Sequence, residues 1–127
     1  MAKMPSIGLG IWKNCDDTTR IVRDAIELGY RYIDTAAFYF NEAEVGAGIN
    51  ECSIAREEIF LTTKVWNDDQ GYDKTLKAFE TSLKKLNFNY VDLYLVHWPK
   101  PHSSDTWKAL EKLYSEGLVK AIGVANF

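Results

Sequence analysis

Three ionisable residues each close an apolar run. Ile33 leads to Asp34, Leu61-Thr62-Thr63 leads to Lys64, and Leu93-Tyr94-Leu95-Val96 leads to His97. The separations are 30 residues (34 to 64) and 33 residues (64 to 97), about one strand-plus-helix unit each. If the runs are parallel strands, the three side chains meet at one rim of the sheet. That rim, at the strands' C-terminal ends, is where barrel and doubly wound enzymes place their active sites. Tyr39 follows Asp34 on the loop leaving the same rim. A phenol, with its pKa near ~10, is a poor proton donor to an alkoxide-like oxygen at neutral pH. A cation beside a phenol favours its ionised form. Lys64 is placed to be that cation, Asp34 to hold it, and His97 to donate a hydrogen bond that orients a carbonyl. The set suits proton transfer to a carbonyl during its reduction, with the hydride supplied from elsewhere. A structural ion pair and a backbone-bonded histidine would give the same spacing. Trp12, Trp66 and Trp98 also follow strand ends. They can wall an apolar pocket or simply pack the core.

The elements that must position these residues alternate along the chain. Residues 7–11 form the first apolar run, punctuated by Gly8 and Gly10. Asp16 and Asp17 then offer caps to a helix in which Thr18, Ile21, Val22, Ala25 and Ile26 follow the helical period, with Gly29 to stop it. Residues 30–36 read as a strand, 42–50 as a short helix, and 58–64 as a strand bounded by the turn-forming Asn67-Asp68-Asp69-Gln70-Gly71. Leu76, Phe79, Leu83 and Leu86 share one face of the clearest helix. Residues 91–96 form a further strand, and Pro99 and Pro101 break the chain. Ser104 or Asp105 is expected to cap a helix that turns Trp107, Leu110 and Tyr114 inward and ends at Gly117. Residues 118–124 supply a fifth strand. Strand alternating with helix, with no hairpin signal, indicates a parallel α/β sheet covered on both faces. A doubly wound open sheet and part of a (β/α) barrel both satisfy this pattern.

The chain has 127 residues, the size of one domain. Hydrophobic residues are 46% and charged residues 26%, which excludes disordered and collagen-like classes. Fifteen Lys+Arg against eighteen Asp+Glu leave a net charge of −3, which argues against nucleic-acid or anionic-membrane partners because both need a basic face. No apolar run approaches the ~18 residues of a membrane span, and the N-terminus lacks the apolar stretch of a signal peptide. Cys15 and Cys52 form no CxxC pair, so a reducing, cytoplasmic setting is expected. Gly8-Leu9-Gly10 lacks the third glycine of a dinucleotide fingerprint, and there is no Walker lysine or Gly-x-Ser-x-Gly elbow. His97 and His102 have no cysteine or second acidic ligand at metal spacing, so no metal is expected.

The motifs resemble those of the aldo-keto reductase family. They are Gly8-Leu9-Gly10-Ile11-Trp12-Lys13, Gly29-Tyr30-Arg31-Tyr32-Ile33-Asp34-Thr35-Ala36, Tyr39-Phe40-Asn41-Glu42, Leu61-Thr62-Thr63-Lys64-Val65-Trp66, Val91-Asp92-Leu93-Tyr94-Leu95-Val96-His97-Trp98-Pro99 and Ala121-Ile122-Gly123-Val124-Ala125-Asn126-Phe127, running in family order along almost the whole chain. The resemblance implies a (β/α)8 TIM barrel that binds NADPH without a Rossmann domain and reduces small aldehydes and ketones. Residues 1–127 would be its N-terminal half, the first four βα units plus the fifth strand, since a full barrel needs about 250 residues. Carried over by motif, Tyr39 resembles the general acid, Lys64 and Asp34 the pair that tunes it, and His97 the residue that orients the carbonyl. Asn126 matches a residue holding the nicotinamide carboxamide, and Asp34 and Trp12 also match cofactor-side positions. Trp12, Trp66, His97 and Trp98 match substrate-pocket positions.

Some positions depart from the family pattern. Ile11 stands where threonine is usual, Ala125 where serine is usual, and Phe40 where glycine or a polar residue is common. The stretch from Pro99 to Trp107 is several residues shorter. Half a barrel also leaves two unpaired strand edges and an open apolar face. A catalytically inactive fragment that acts by self-association through those edges is therefore the alternative expectation.

Overall fold

The computed structural model describes residues 3–12 and 17–127. Lys13, Cys15 and the expected cap Asp16 lie outside the described residues. Five strands, β1 (Leu9–Gly10), β2 (Tyr32–Asp34), β3 (Phe60–Val65), β4 (Val91–Val96) and β5 (Val119–Val124), alternate with four helices, α1 (Thr18–Glu27), α2 (Glu42–Glu51), α3 (Tyr72–Leu86) and α4 (Ser103–Ser115). All strand pairs are parallel, in the order β1-β2-β3-β4-β5. That order decides between the two architectures. A doubly wound sheet reverses its strand order at a switch point, whereas a barrel adds each strand to the same edge. Each helix packs on the next along one side of the sheet.

The core lies between sheet and helices. Ile33, Leu61, Val65, Tyr94 and Val96 on the strands meet Val22, Ile26, Val45, Ile49, Phe79, Leu86, Leu110 and Leu113 on the helices. Phe79 and Tyr94 are both fully buried, with rings 4.9 Å apart at 64°. Helix packing is close because α2 presents a bare backbone: a Cβ on Gly46 would stand 2.1 Å from the Leu86 carbonyl oxygen. Among the described residues, no helix is long and apolar enough to cross a membrane.

Several sequence expectations are corrected. β1 is only two residues, and Ile7 is exposed, although Ile11 N–H still reaches Asp34 O at 3.2 Å. β2 is shorter than 30–36 because Tyr30 lies outside the core and the chain leaves the sheet after Thr35 for the turn at Ala37–Tyr39. Asp17 stands at the helix N-cap but makes no side-chain cap bond; its carboxylate pairs with Arg20 instead, at 3.0 Å. α4 begins at Ser103, whose Oγ accepts from the Lys100 N–H at 2.9 Å, so neither Ser104 nor Asp105 is the cap. Tyr114 is exposed: Thr106, Ala109, Leu110 and Leu113 set the buried face, and Tyr114 lies about 100° around the helix from Leu113. β5 is only partly covered, with Val124 exposed, because it forms one edge of the sheet.

Candidate active site

Strand alternation builds the site. Asp34 is level with Thr62 across β2–β3, Thr62 with Leu93 across β3–β4, and Lys64 with Leu95. Residues two apart share a face, so Asp34, Lys64 and His97 rise in successive layers on the face away from the helices. His97 N–H continues the ladder to Val65 O at 3.3 Å. Between them, Thr63 turns the other way, donating its hydroxyl to the buried Glu42 carboxylate at 2.6 Å.

Lys64 is the hub. Its Nζ is ion-paired with Asp34 and donates to Thr35 O at 3.0 Å and to the Tyr39 hydroxyl at 3.4 Å. Lys64 is 6% exposed, so its charge is compensated by partners and not by water. Tyr39 ends a 3-10 turn, Ala37–Tyr39, and Phe40 follows it in the left-handed conformation at φ 57°. The Tyr39 and His97 rings meet edge to face at 5.8 Å. His97 is 6% exposed. Burial, with the Lys64 ammonium second, holds its pKa below the ordinary imidazole value, so the ring is neutral at pH 7. Its Nδ1 is buried with no partner among the described residues.

Of these groups, Tyr39 and His97 open into a cavity of about 340 Å³ lined also by Trp12, Phe38, Trp66, Trp98 and Asn126. The three tryptophans selected by spacing thus surround one space. Trp66 meets His97 edge to face at 5.3 Å, and Trp98 lies nearly parallel to His97, 12° apart at 6.3 Å. Asn126 takes the left-handed conformation at φ 62° and donates Nδ2 to His97 O at 2.8 Å. Its backbone placement and that bond put its amide beside the imidazole strand end.

Sequence reasoning missed Phe38, which stacks on Trp66 at 3.7 Å and 19°. The aromatic triplet Phe38-Tyr39-Phe40 is the signal that marks it. Phe40 itself packs on Phe38 and is 80% exposed, so it stands outside the cavity. Gln70 was read only as part of a turn. It is buried, its Nε2 donates to Trp98 O at 2.8 Å, and its Oε1 accepts from Ser103 and Thr106 hydroxyls at 3.3 and 3.4 Å. It thereby ties the loops after β3 and β4 together.

A sequence model described as the Aldo/keto reductase family matches residues 6–127. The chain belongs to that family. It is 58% identical over 128 residues to glyoxal reductase of Bacillus subtilis, covering 98% of this chain and 46% of that protein. Superposed on the crystal structure of an aldo-keto reductase from a Medee basin deep-sea metagenome library, it gives a TM-score of 0.97 at 55% identity, over 99% of this chain and 47% of that one. An aldo-keto reductase of Bombyx mori, solved in complex with NADP, is 40% identical with a TM-score of 0.88, over 95% of this chain and 46% of that one. The chain therefore spans about half the length of the relatives it matches. In aldo-keto reductase terms, its five parallel strands are the N-terminal part of a (β/α)8 barrel.

Proposed function

We propose that residues 1–127 are the N-terminal half of an aldo-keto reductase domain and carry the proton-transfer centre for NADPH-dependent reduction of a small aldehyde or ketone. The observation that carries this reading is the chain of contacts from Asp34 through Lys64 to the Tyr39 hydroxyl, with Tyr39 and His97 lining one aromatic cavity. In the reaction, Tyr39 gives its hydroxyl proton to the carbonyl oxygen as negative charge builds there. Lys64, 3.4 Å from that hydroxyl, supplies a fixed positive charge beside the phenolate so formed. Asp34 and the Thr35 carbonyl keep the ammonium in position. The neutral His97 favours the tautomer protonated on Nε2, because an unpaired lone pair at the buried Nδ1 costs less than an unpaired N–H. That tautomer makes Nε2 a hydrogen-bond donor to the carbonyl. Trp12, Phe38, Trp66 and Trp98 supply apolar walls beside the reacting atoms.

The residues present fit a nicotinamide. Asn126 has given one N–H to His97 O and retains a second N–H and an oxygen, the complement of a carboxamide. Trp12 lines the same cavity, and Asp34 stands behind it, ion-paired with Lys64. Bound NADPH supplies the hydride.

The test is NADPH oxidation with a simple aldehyde, comparing the parent with Tyr39→Phe. Loss of about 10²–10⁴-fold in kcat is expected, and equal rates would remove the catalytic assignment. The open edges β1 and β5 favour a second reading, a fragment that acts by self-association. Titration with NADPH separates the two. Micromolar binding supports the enzyme, whereas no binding by a sedimenting dimer supports the associating fragment.

A further inference from the structure

The contacts at the base of the Tyr39 loop form a closed relay. Thr35 Oγ1 donates to Asn41 Oδ1 at 2.6 Å, and Asn41 Nδ2 donates to Ile11 O at 2.8 Å. Thr35 is fully buried and Asn41 is 5% exposed. Thr35 N–H is held by Thr62 O at 2.9 Å, and Thr35 O accepts from Lys64 Nζ at 3.0 Å. The Thr35–Asn41 bond therefore joins the two ends of the segment that contains Tyr39. The same asparagine fixes the carbonyl immediately before Trp12.

We propose that Asn41, acting through Thr35, is the positioning residue that closes the Tyr39 loop and sets the contact between Lys64 Nζ and the phenol. The inference rests on the catalytic reading of Tyr39 and Lys64. The loop needs such a closure for a physical reason. Phe40 sits at φ 57°, a conformation unfavourable for a bulky aromatic residue. Left to itself, the segment between Ala36 and Asn41 would relax toward extended backbone, and Tyr39 would turn with it. The bonds that keep the turn short are Tyr39 N–H to Ala36 O and Phe40 N–H to Ala37 O, at 3.1 and 3.2 Å. They are local, and a local turn is not stable alone. The buried Thr35–Asn41 bond closes its base, and the Asn41 bond to the Ile11 carbonyl on the strand end thirty residues earlier supplies the non-local restraint. Because Thr35 offers its hydroxyl to Asn41 and its carbonyl to Lys64, a single residue carries the restraint from the loop to the ammonium. Asn41 also ties β1 into the relay, so the two loops bearing Trp12 and Tyr39 share one anchor.

The test uses Thr35→Val, which keeps the shape and removes the donor, and Thr35→Ser, which keeps the donor. Hydrogen exchange at the Tyr39 amide is read first and needs no cofactor. Exchange about tenfold faster in Thr35→Val, and parent-like in Thr35→Ser, is expected for loss of one buried hydrogen bond. In the NADPH-dependent assay, Thr35→Val should lower kcat about tenfold or more with aldehyde KM changed less than about twofold, and Thr35→Ser should restore it. Should the valine variant fail to fold, Thr35→Ala gives the same reading without the added methyl group. Parent-like exchange in the donor-less variant, or faster exchange with unchanged kcat, overturns the proposal. A Tyr39→Phe variant as active as the parent would instead overturn the catalytic reading, leaving the exchange result to judge the loop closure.

Discussion

Replacing Asp92 with alanine should be among the most destabilising single changes in this chain. The Asp92 carboxylate, 8% exposed, accepts from Arg56 Nη2 at 2.9 Å and from the Leu61 N–H at 2.9 Å. Arg56 lies 4.2 Å from the Tyr90 ring centroid and 4.9 Å from that of Phe88, and it donates to Ile59 O and Tyr90 O at 2.8 and 3.2 Å. The Arg56 side chain is 12% exposed and its Nε has no partner among the described residues, so water replaces the lost carboxylate only in part. Breaking a buried pair by removing one partner costs about 3–5 kcal/mol, of which the stranded Leu61 N–H accounts for about 1–3 kcal/mol. For a chain of 127 residues, at about 4 °C per kcal/mol, the melting temperature should fall by roughly 12–20 °C. Urea titration followed by tryptophan fluorescence and circular dichroism gives the free energy directly. Asp92→Asn, which keeps an oxygen for Leu61 but leaves Arg56 uncompensated, should fall between parent and alanine. The double variant Arg56→Met with Asp92→Leu should recover the part of the loss due to the uncompensated guanidinium and remain about 1–3 kcal/mol below the parent, because both buried charges are gone while the Leu61 N–H still lacks its acceptor. An alanine variant within about 1 kcal/mol of the parent would refute the reasoning, since it would mean that Arg56 finds water or a new partner at no cost.

Two further outcomes follow from buried groups away from the cavity. Burial holds the Glu42 carboxyl above its ordinary range, against the opposing hydrogen bonds from Thr63 and Ser82. The folded state therefore keeps a proton that the unfolded chain releases. This contribution is intact below the unfolded pKa, about 4.3, and is lost as pH rises through the folded value. Glu42→Gln cannot titrate, so the stability difference between parent and variant should be flat below that range and drift against the parent above it; a difference independent of pH would contradict a buried, titrating carboxyl. Gly46→Ala places a methyl group 2.1 Å from the Leu86 carbonyl oxygen, and overpacking of this kind costs about 3 kcal/mol or prevents folding. A denaturation midpoint equal to the parent's would show that α2 and α3 move apart freely.

Much of the site was legible because it depends on short-range pattern. The runs ending in Asp34, Lys64 and His97 read as strands. A parallel strand exposes its terminal side chain at a fixed rim, so residue type and spacing were enough to bring the three together. Phe38, Gln70, Thr35 and Asn41 were not legible, because their partners are distant in sequence. Trp66 lies on the loop after β3, Trp98 on the loop after β4, and Ile11 at the end of β1. Nothing in the sequence near Asn41 distinguishes a buried loop clasp from an ordinary helix cap. Tyr114 failed for a related reason: a helix's apolar stripe is wide, and only packing decides which of its margins is covered.

Taken by itself, the amino-acid sequence determined the alternation of strands and helices, the parallel sheet and the four ionisable residues of the rim. It did so because hydrophobic period and strand-end position are local properties. Only the tertiary structure decided that the strands add in a single direction, so that one face gathers the whole cavity. It alone settled which polar side chains are buried and what they hold. Strand order and burial depend on which distant segments pack together, and that outcome is fixed by the joint filling of the space between sheet and helices.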